Sequence, residues 1–135
     1  MANASISNSI DIAVSGLRAE SARMKAITGN IANSSTTQTP SGEPYRRMCV
    51  LLATEGAGLS GVRVQEIVPD MTTAFKQVYQ PGHPDADKDG YVLMPNVDLP
   101  VEMMNLVAAS RAYQANAAIL KRYQEIMDLT IELLR

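Results

Sequence analysis

The sequence predicts a mostly α-helical chain with a small β-hairpin middle, its two terminal helices packed antiparallel. Three observations predict it. Apolar residues recur at spacings of three and four through the first 32 positions, and again, without interruption, from residue 103 almost to the end. Between them the periodicity shortens to alternating and short apolar runs, separated by stretches rich in Pro, Gly and Asp.

The first element is a helix over about residues 5–32, with Ile10, Val14, Leu17, Met24, Ile27 and Ile31 on one stripe and Arg18, Glu20, Arg23 and Lys25 mostly elsewhere. Gly16 and Gly29 each cost about 1 kcal/mol relative to Ala in a helix interior, so this helix needs tertiary support. "NSSTTQTPSGEP" ends it, because Ser, Thr and Asn compete for backbone hydrogen bonds and Pro40, Gly42 and Pro44 punctuate a loop. "YRRMCVLLA" and "VRVQEIV" read as the strands of a hairpin around "EGAGLSG", and "AFKQVYQ" and "YVLM" as two further short strands around "PGHPDADKDG".

The last element is the clearest. Met103, Leu106, Ser110, Tyr113, Ala117, Leu120, Gln124, Met127, Ile131 and Leu134 form a heptad-like series. Asp98 is placed to cap the helix, and Pro100 is tolerated in its first turn. After Pro100 there is neither Pro nor Gly. At about 1.5 Å per residue such a helix is roughly 50 Å long, more than a compact domain of this size uses. The segments 1–35 and 97–135 therefore read as one discontinuous helical unit, with 36–96 as a loop- and strand-rich middle. A middle of that size cannot cover both stripes, which leaves an apolar remainder for neighbouring subunits.

Composition narrows the function. Twelve basic and fourteen acidic residues give a net charge of −2, and the basic pairs Arg46-Arg47 and Lys121-Arg122 are isolated, so nothing steers the chain toward nucleic acid. The charge clusters read as solvated faces. There is no Trp and one Phe against eight Met, a payload suited to helix contacts rather than to a deep aromatic pocket. Cys49 stands alone and reads as a small buried hydrophobe. No stretch is apolar enough to span a membrane, and the first residues lack the pattern of a cleaved secretory signal.

Candidate chemistry is sparse. Asp85, Asp87, Asp89 and Gly90 match positions 1, 3, 5 and 6 of a calcium-binding EF-hand loop, with Val92 at position 8. The match fails at position 12, where Asn96 replaces the bidentate Glu, and Pro81, Pro84 and Pro95 obstruct the flanking helices. An Asx-rich turn is the better reading. His83 sits between Gly82 and Pro84 with no nucleophile assignable to it, and His83 and Cys49 are too few for zinc. Glu43, Glu55 and Glu66 are scattered. No catalytic residue, metal or cofactor is expected.

"GNIANSSTT" at residues 29–37 and "SRAYQAN" at residues 110–116, together with "TPSGEPYRR", "VYQPGHPDAD" and "DGYVLMPNVDLPVEMMNLVAASRAYQAN", resemble the bacterial flagellar basal-body rod proteins, and within that family the proximal-rod branch. Asn30, Asn33, Arg111, Tyr113 and Asn116 fall on the family's recurring positions, while Gly29 stands where the family has Ser. The resemblance implies a non-enzymatic axial protein, exported without a cleaved signal peptide through the flagellar type III apparatus and polymerised as a helical tube across the periplasm. Its expected partners are copies of itself, other proximal rod proteins, the rod-base adaptor and the distal rod protein. The terminal helices become a coiled-coil inner layer lining the export channel, and the expected subunit-packing residues are Ile10, Val14, Leu17, Met24, Ile31, Met103, Leu106, Tyr113, Leu120, Met127, Ile131 and Leu134. The rival readings are a small calcium-binding or regulatory protein that pairs through its long terminal helix, and an all-helical export chaperone.

Overall fold

The computed structural model describes residues 2–56 and 61–134. Six elements follow one another: α1 (Ala2–Ala32), β1 (Met48–Thr54), β2 (Val62–Pro69), β3 (Lys76–Tyr79), β4 (Tyr91–Met94) and α2 (Leu99–Leu133). The expected tip of the first hairpin, residues 57–60, lies outside the described residues.

The helices run antiparallel, because Asn30 near the end of α1 bonds Glu102 near the start of α2, while Gly16 faces Asn116 farther along. At that second crossing a Cβ on Gly16 would lie 2.9 Å from Asn116 Nδ2, so the absence of a side chain sets how closely the helices approach. Asp98 caps α2 by accepting from the Val101 amide at 3.3 Å, with Pro100 in the first turn.

The strands form two separate antiparallel ribbons, β1–β2 and β3–β4. In the first, Leu51 pairs with Glu66 and Leu52 with Val64, which leaves Gln65 as an extra residue in β2. This ribbon packs on α1 through both strands. Ser15 pins its second strand, accepting from the Val62 amide at 3.0 Å while donating to Ile12 O at 2.7 Å. The second ribbon turns at residues 80–90, where Gly90 takes φ = 83° and the Tyr79 and Tyr91 rings meet edge to face at 5.3 Å. Among the described residues, the backbones of β3 and β4 come close to neither helix nor the first ribbon, although Val92 of β4 is buried.

"YRRMCVLLA" enters the sheet later than its composition suggests. Tyr45, Arg46 and Arg47 precede β1, and all three side chains are engaged: Tyr45 with Asn30, Arg46 over the Phe75 ring at 4.1 Å, Arg47 with Glu102. The core is correspondingly small. Among the described residues, Ala13, Ala19, Ile27, Val92, Val97 and Ala109 are the buried hydrophobic residues, and Asn30, Asn96 and Glu102 are buried as well.

Candidate subunit interface

One end of the helix pair is locked by a polar network. Asn30, fully buried on α1, uses all four of its hydrogen-bonding positions: Nδ2 donates to Met48 O at 2.9 Å and to Glu102 Oε2 at 3.0 Å, and Oδ1 accepts from Met48 N at 2.8 Å and Tyr45 Oη at 3.0 Å. Its amide thus stands beside Met48 as a ladder partner would, fixing where β1 begins. Glu102 Oε1 accepts from Arg47 Nε at 2.7 Å, so a carboxylate with no exposed surface is both paired and hydrogen-bonded. That bond holds the Arg47 guanidinium above its ordinary value, against the opposing effect of burial. Burial, and then the Glu102 charge, push the Tyr45 hydroxyl up.

The network extends into the loops. The Arg47 amide donates to Asn96 Oδ1 at 2.8 Å, and Asn96 Nδ2 donates to Asp70 O and Thr73 O, each at 3.1 Å. Asp70 in turn closes its own turn, accepting from the amides and hydroxyls of Thr72 and Thr73; these bonds, the Thr72 hydroxyl first, hold its carboxyl well below the usual range.

These contacts correct two readings of the sequence. Arg46-Arg47 is not a solvated pair, since Arg47 neutralises a buried acid. Cys49 is half-buried rather than buried, with Sγ accepting from Arg47 Nη1 at 2.9 Å. In the Asp-rich turn, Asp87 accepts from the amides of Asp89 and Tyr91, and Asp85 accepts from Thr37 Oγ1. Asn96, the twelfth position of the calcium-loop match, points into the network instead. His83 Nδ1 accepts from the Asp85 amide at 3.1 Å. Among the described residues no group of three or more His, Cys, Asp or Glu is placed to hold a metal ion.

Along α2 the seam against α1 runs through Glu102, Ala109 and Asn116, with Leu106 and Leu120 half-buried at its edge. This is one position earlier than the series Met103, Ser110, Ala117. Ile10, Val14, Leu17, Met24 and Ile31 are half-buried on α1, whereas Met103, Tyr113, Met127, Ile131 and Leu134 are exposed on α2. Ile119, Ile126, Leu129 and Leu133 are exposed with them, so the second half of α2 carries apolar surface around more than half of its circumference, with Lys121, Glu125, Asp128 and Glu132 on the charged face that remains.

Of the motif residues, Asn30 is the network's centre and Asn33 closes the end of α1, donating to Gly29 O and accepting from Thr36 Oγ1. Asn116 donates to Ala112 O at the helix crossing, and Arg111 is exposed. Sequence reasoning missed Glu102. An acid in the first turn of a helix reads as a complement to the helix dipole, and nothing local signals that it is buried.

The N-terminal part of the chain, residues 10–38, matches the family model "Flagella basal body rod protein", and residues 88–133 match "Flagellar basal body rod FlgEFG protein C-terminal". The chain is 42% identical over 129 residues to the flagellar basal-body rod protein FlgC of Escherichia coli O6:H1, covering 93% of this chain and 96% of that protein. It is 42% identical over 132 residues to FlgC of Yersinia enterocolitica, covering 96% and 98%. To FlgC of Bacillus subtilis it is 34% identical over 145 residues, covering 93% and 96%. With relatives of this identity matched over nearly the whole length of both chains, this chain belongs to the FlgC family of flagellar basal-body rod proteins.

Proposed function

We propose that this chain is a structural subunit of the flagellar proximal rod, which polymerises by packing unlike faces of its helices, encloses the export channel and transmits torque. The family match carries the reading. The uncovered apolar length of α2 supplies its physical basis, because a monomer gains nothing by holding Ile126, Leu129, Ile131 and Leu133 in water. In an open helical assembly each subunit offers one surface and accepts a different one, so a long helix with apolar residues on several sides can meet several neighbours at once. The terminal helices form the inner, coiled-coil layer of the tube, and the ribbons lie outside it. The neighbours are copies of this chain, other proximal rod proteins, the rod-base adaptor and the distal rod protein, with the export apparatus met during secretion through the inner membrane to the periplasm.

The test sets Leu120 against its neighbour. Leu120 is half-buried and Lys121 exposed. In a strain carrying only the variant, Leu120→Asp places an unpaired carboxylate at the edge of the α1–α2 seam of every subunit, so a subunit surface distorted by it enters each step of growth; a loss of about 1.4 kcal/mol per step lowers each association constant tenfold. Cells without filaments and basal bodies without complete rods are expected, while Lys121→Glu swims. Normal rods in Leu120→Asp with a disruptive Lys121→Glu would overturn the assigned face.

A further inference from the structure

Two charged side chains on different surfaces of the molecule stand out, one held only by a long ion pair and the other exposed. Glu20, on α1, has a side chain only 15% exposed, and its Oε2 is buried without a hydrogen bond among the described residues. Arg23 Nη1 is 3.8 Å away, beyond hydrogen-bonding distance, on a side chain that is 42% exposed. Glu20 borders a cavity of about 400 Å³ where α1, the first ribbon and α2 meet, lined also by Ser15, Gly16, Leu52, Val62 and Asn116.

The second is Arg111, exposed on α2 and, among the described residues, without a hydrogen bond or ion pair. It lies on the strip opposite the Glu102–Ala109–Asn116 seam, in line with exposed Met104, Val107, Ala115 and Ala118. Since Glu102 meets Asn30 and Asn116 meets Gly16, Arg111 stands at about the height of Glu20 along the helix pair, but on the far side of α2. Within one chain a helix about 10 Å across separates them.

We propose that Arg111 of one copy enters this cavity on the next copy and donates to Glu20, seating the outer strip of α2 against the ribbon rim. The inference rests on the rod reading above. A carboxylate oxygen withdrawn from water is costly unless it is paired, and a guanidinium is the cation whose planar donors suit a carboxylate best. Among the other cations of α2, Arg122 is already bonded to Glu125 at 3.2 Å, and Lys121 has only Ala117, Ala118, Gln124 and Glu125 one turn away. Arg111 follows Met104 and Val107, apolar side chains that can cover Leu52 and Val62 at the cavity's edge. Donor strip and acceptor cavity are different surfaces, so the contact does not close on itself and can repeat along a helix.

The test is a charge exchange in strains whose only copy is the variant, read by counting complete rods in isolated basal bodies. Glu20→Arg and Arg111→Glu are each expected to cut the number about tenfold or more, and the double variant Glu20→Arg with Arg111→Glu to recover most of it. Silent single variants, or a double variant no better than the singles, would overturn the proposal. A defect confined to Glu20→Arg would also overturn it, since the occupant would then be another protein's cation. Should either single variant melt earlier than the parent chain, crosslinking decides. With Cys49→Ala, the pair Glu20→Cys and Arg111→Cys must give disulfide-linked dimers and higher multimers in oxidised basal bodies, and their absence would sink the idea. Failure of the rod reading looks different, for then the unaltered chain would be missing from basal bodies altogether.

Discussion

The two ends of the antiparallel helix pair are built on opposite plans. Where α1 ends and α2 begins, Asn30, Glu102, Arg47 and Tyr45 tie both helices to the start of β1, and Asn96 carries the ties on to the 70–73 turn. Over the second half of α2 the picture reverses: from Gln124 onward every described residue is exposed, and Ile126, Met127, Leu129, Ile131, Leu133 and Leu134 are apolar. Directional bonds specify one geometry within the subunit, whereas apolar surface without fixed partners accepts contacts at slightly different angles. One end therefore defines the subunit, and the other, on the rod reading proposed above, is left for its neighbours.

The largest test of this contrast is Glu102→Ala. It leaves the Arg47 charge and one donor of Asn30 without their partner inside the structure, and is expected to cost about 3–5 kcal/mol, read by urea unfolding of the purified chain. A loss below about 1 kcal/mol would mean that the network contributes little.

Next in size is the gradient of amide exchange along α2 in the unassembled chain. Residues 102–109 should exchange far more slowly than residues 124–133, because only the former lie against α1 and the network. Uniform protection would erase the distinction between the ends. Gly16→Leu acts between them: its side chain must displace Asn116 from the crossing, with an expected cost of about 1–3 kcal/mol in the same unfolding assay. An unchanged midpoint would show that the helices can separate there freely.

The smallest effect belongs to the turn at the network's edge. The carboxyl of Asp70 is held below its ordinary value of 3.8 by the Thr72 and Thr73 bonds. Its contribution is therefore present above about pH 4 and fades as pH falls toward the lower folded value. Asp70→Asn should therefore lower stability slightly at neutral pH and less as pH falls, flattening the acid limb of the profile; an equal loss at pH 7 and pH 3 would contradict this.

Much of this was legible in the sequence. Both helices, the paired strands and the Asp98 cap follow from periodicity and local chemistry, which act over a few residues. The network did not, because Asn30 and Glu102 are 72 positions apart and each has an ordinary local reading, one as a helix-end residue and the other as a first-turn acid. The seam on α2 was read one position late for a related reason. A pattern sought in apolar residues passes over Glu102 and Asn116, yet these polar side chains lie on the packed face, one neutralised by Arg47 and the other fitted to a glycine.

The β3–β4 ribbon, whose backbone comes close to neither helix, also has a consequence for how the protein can vary. Its far turn carries exposed Asp87, Lys88 and Asp89, and added residues there lengthen a loop whose closure cost rises by only about 0.6 kcal/mol for each doubling. A tag or label inserted after Lys88 would be borne outside the helix pair without moving Asn30, Glu102 or the apolar length of α2. Over evolutionary time the same position is where the chain can grow or shrink while the machine around it stays the same.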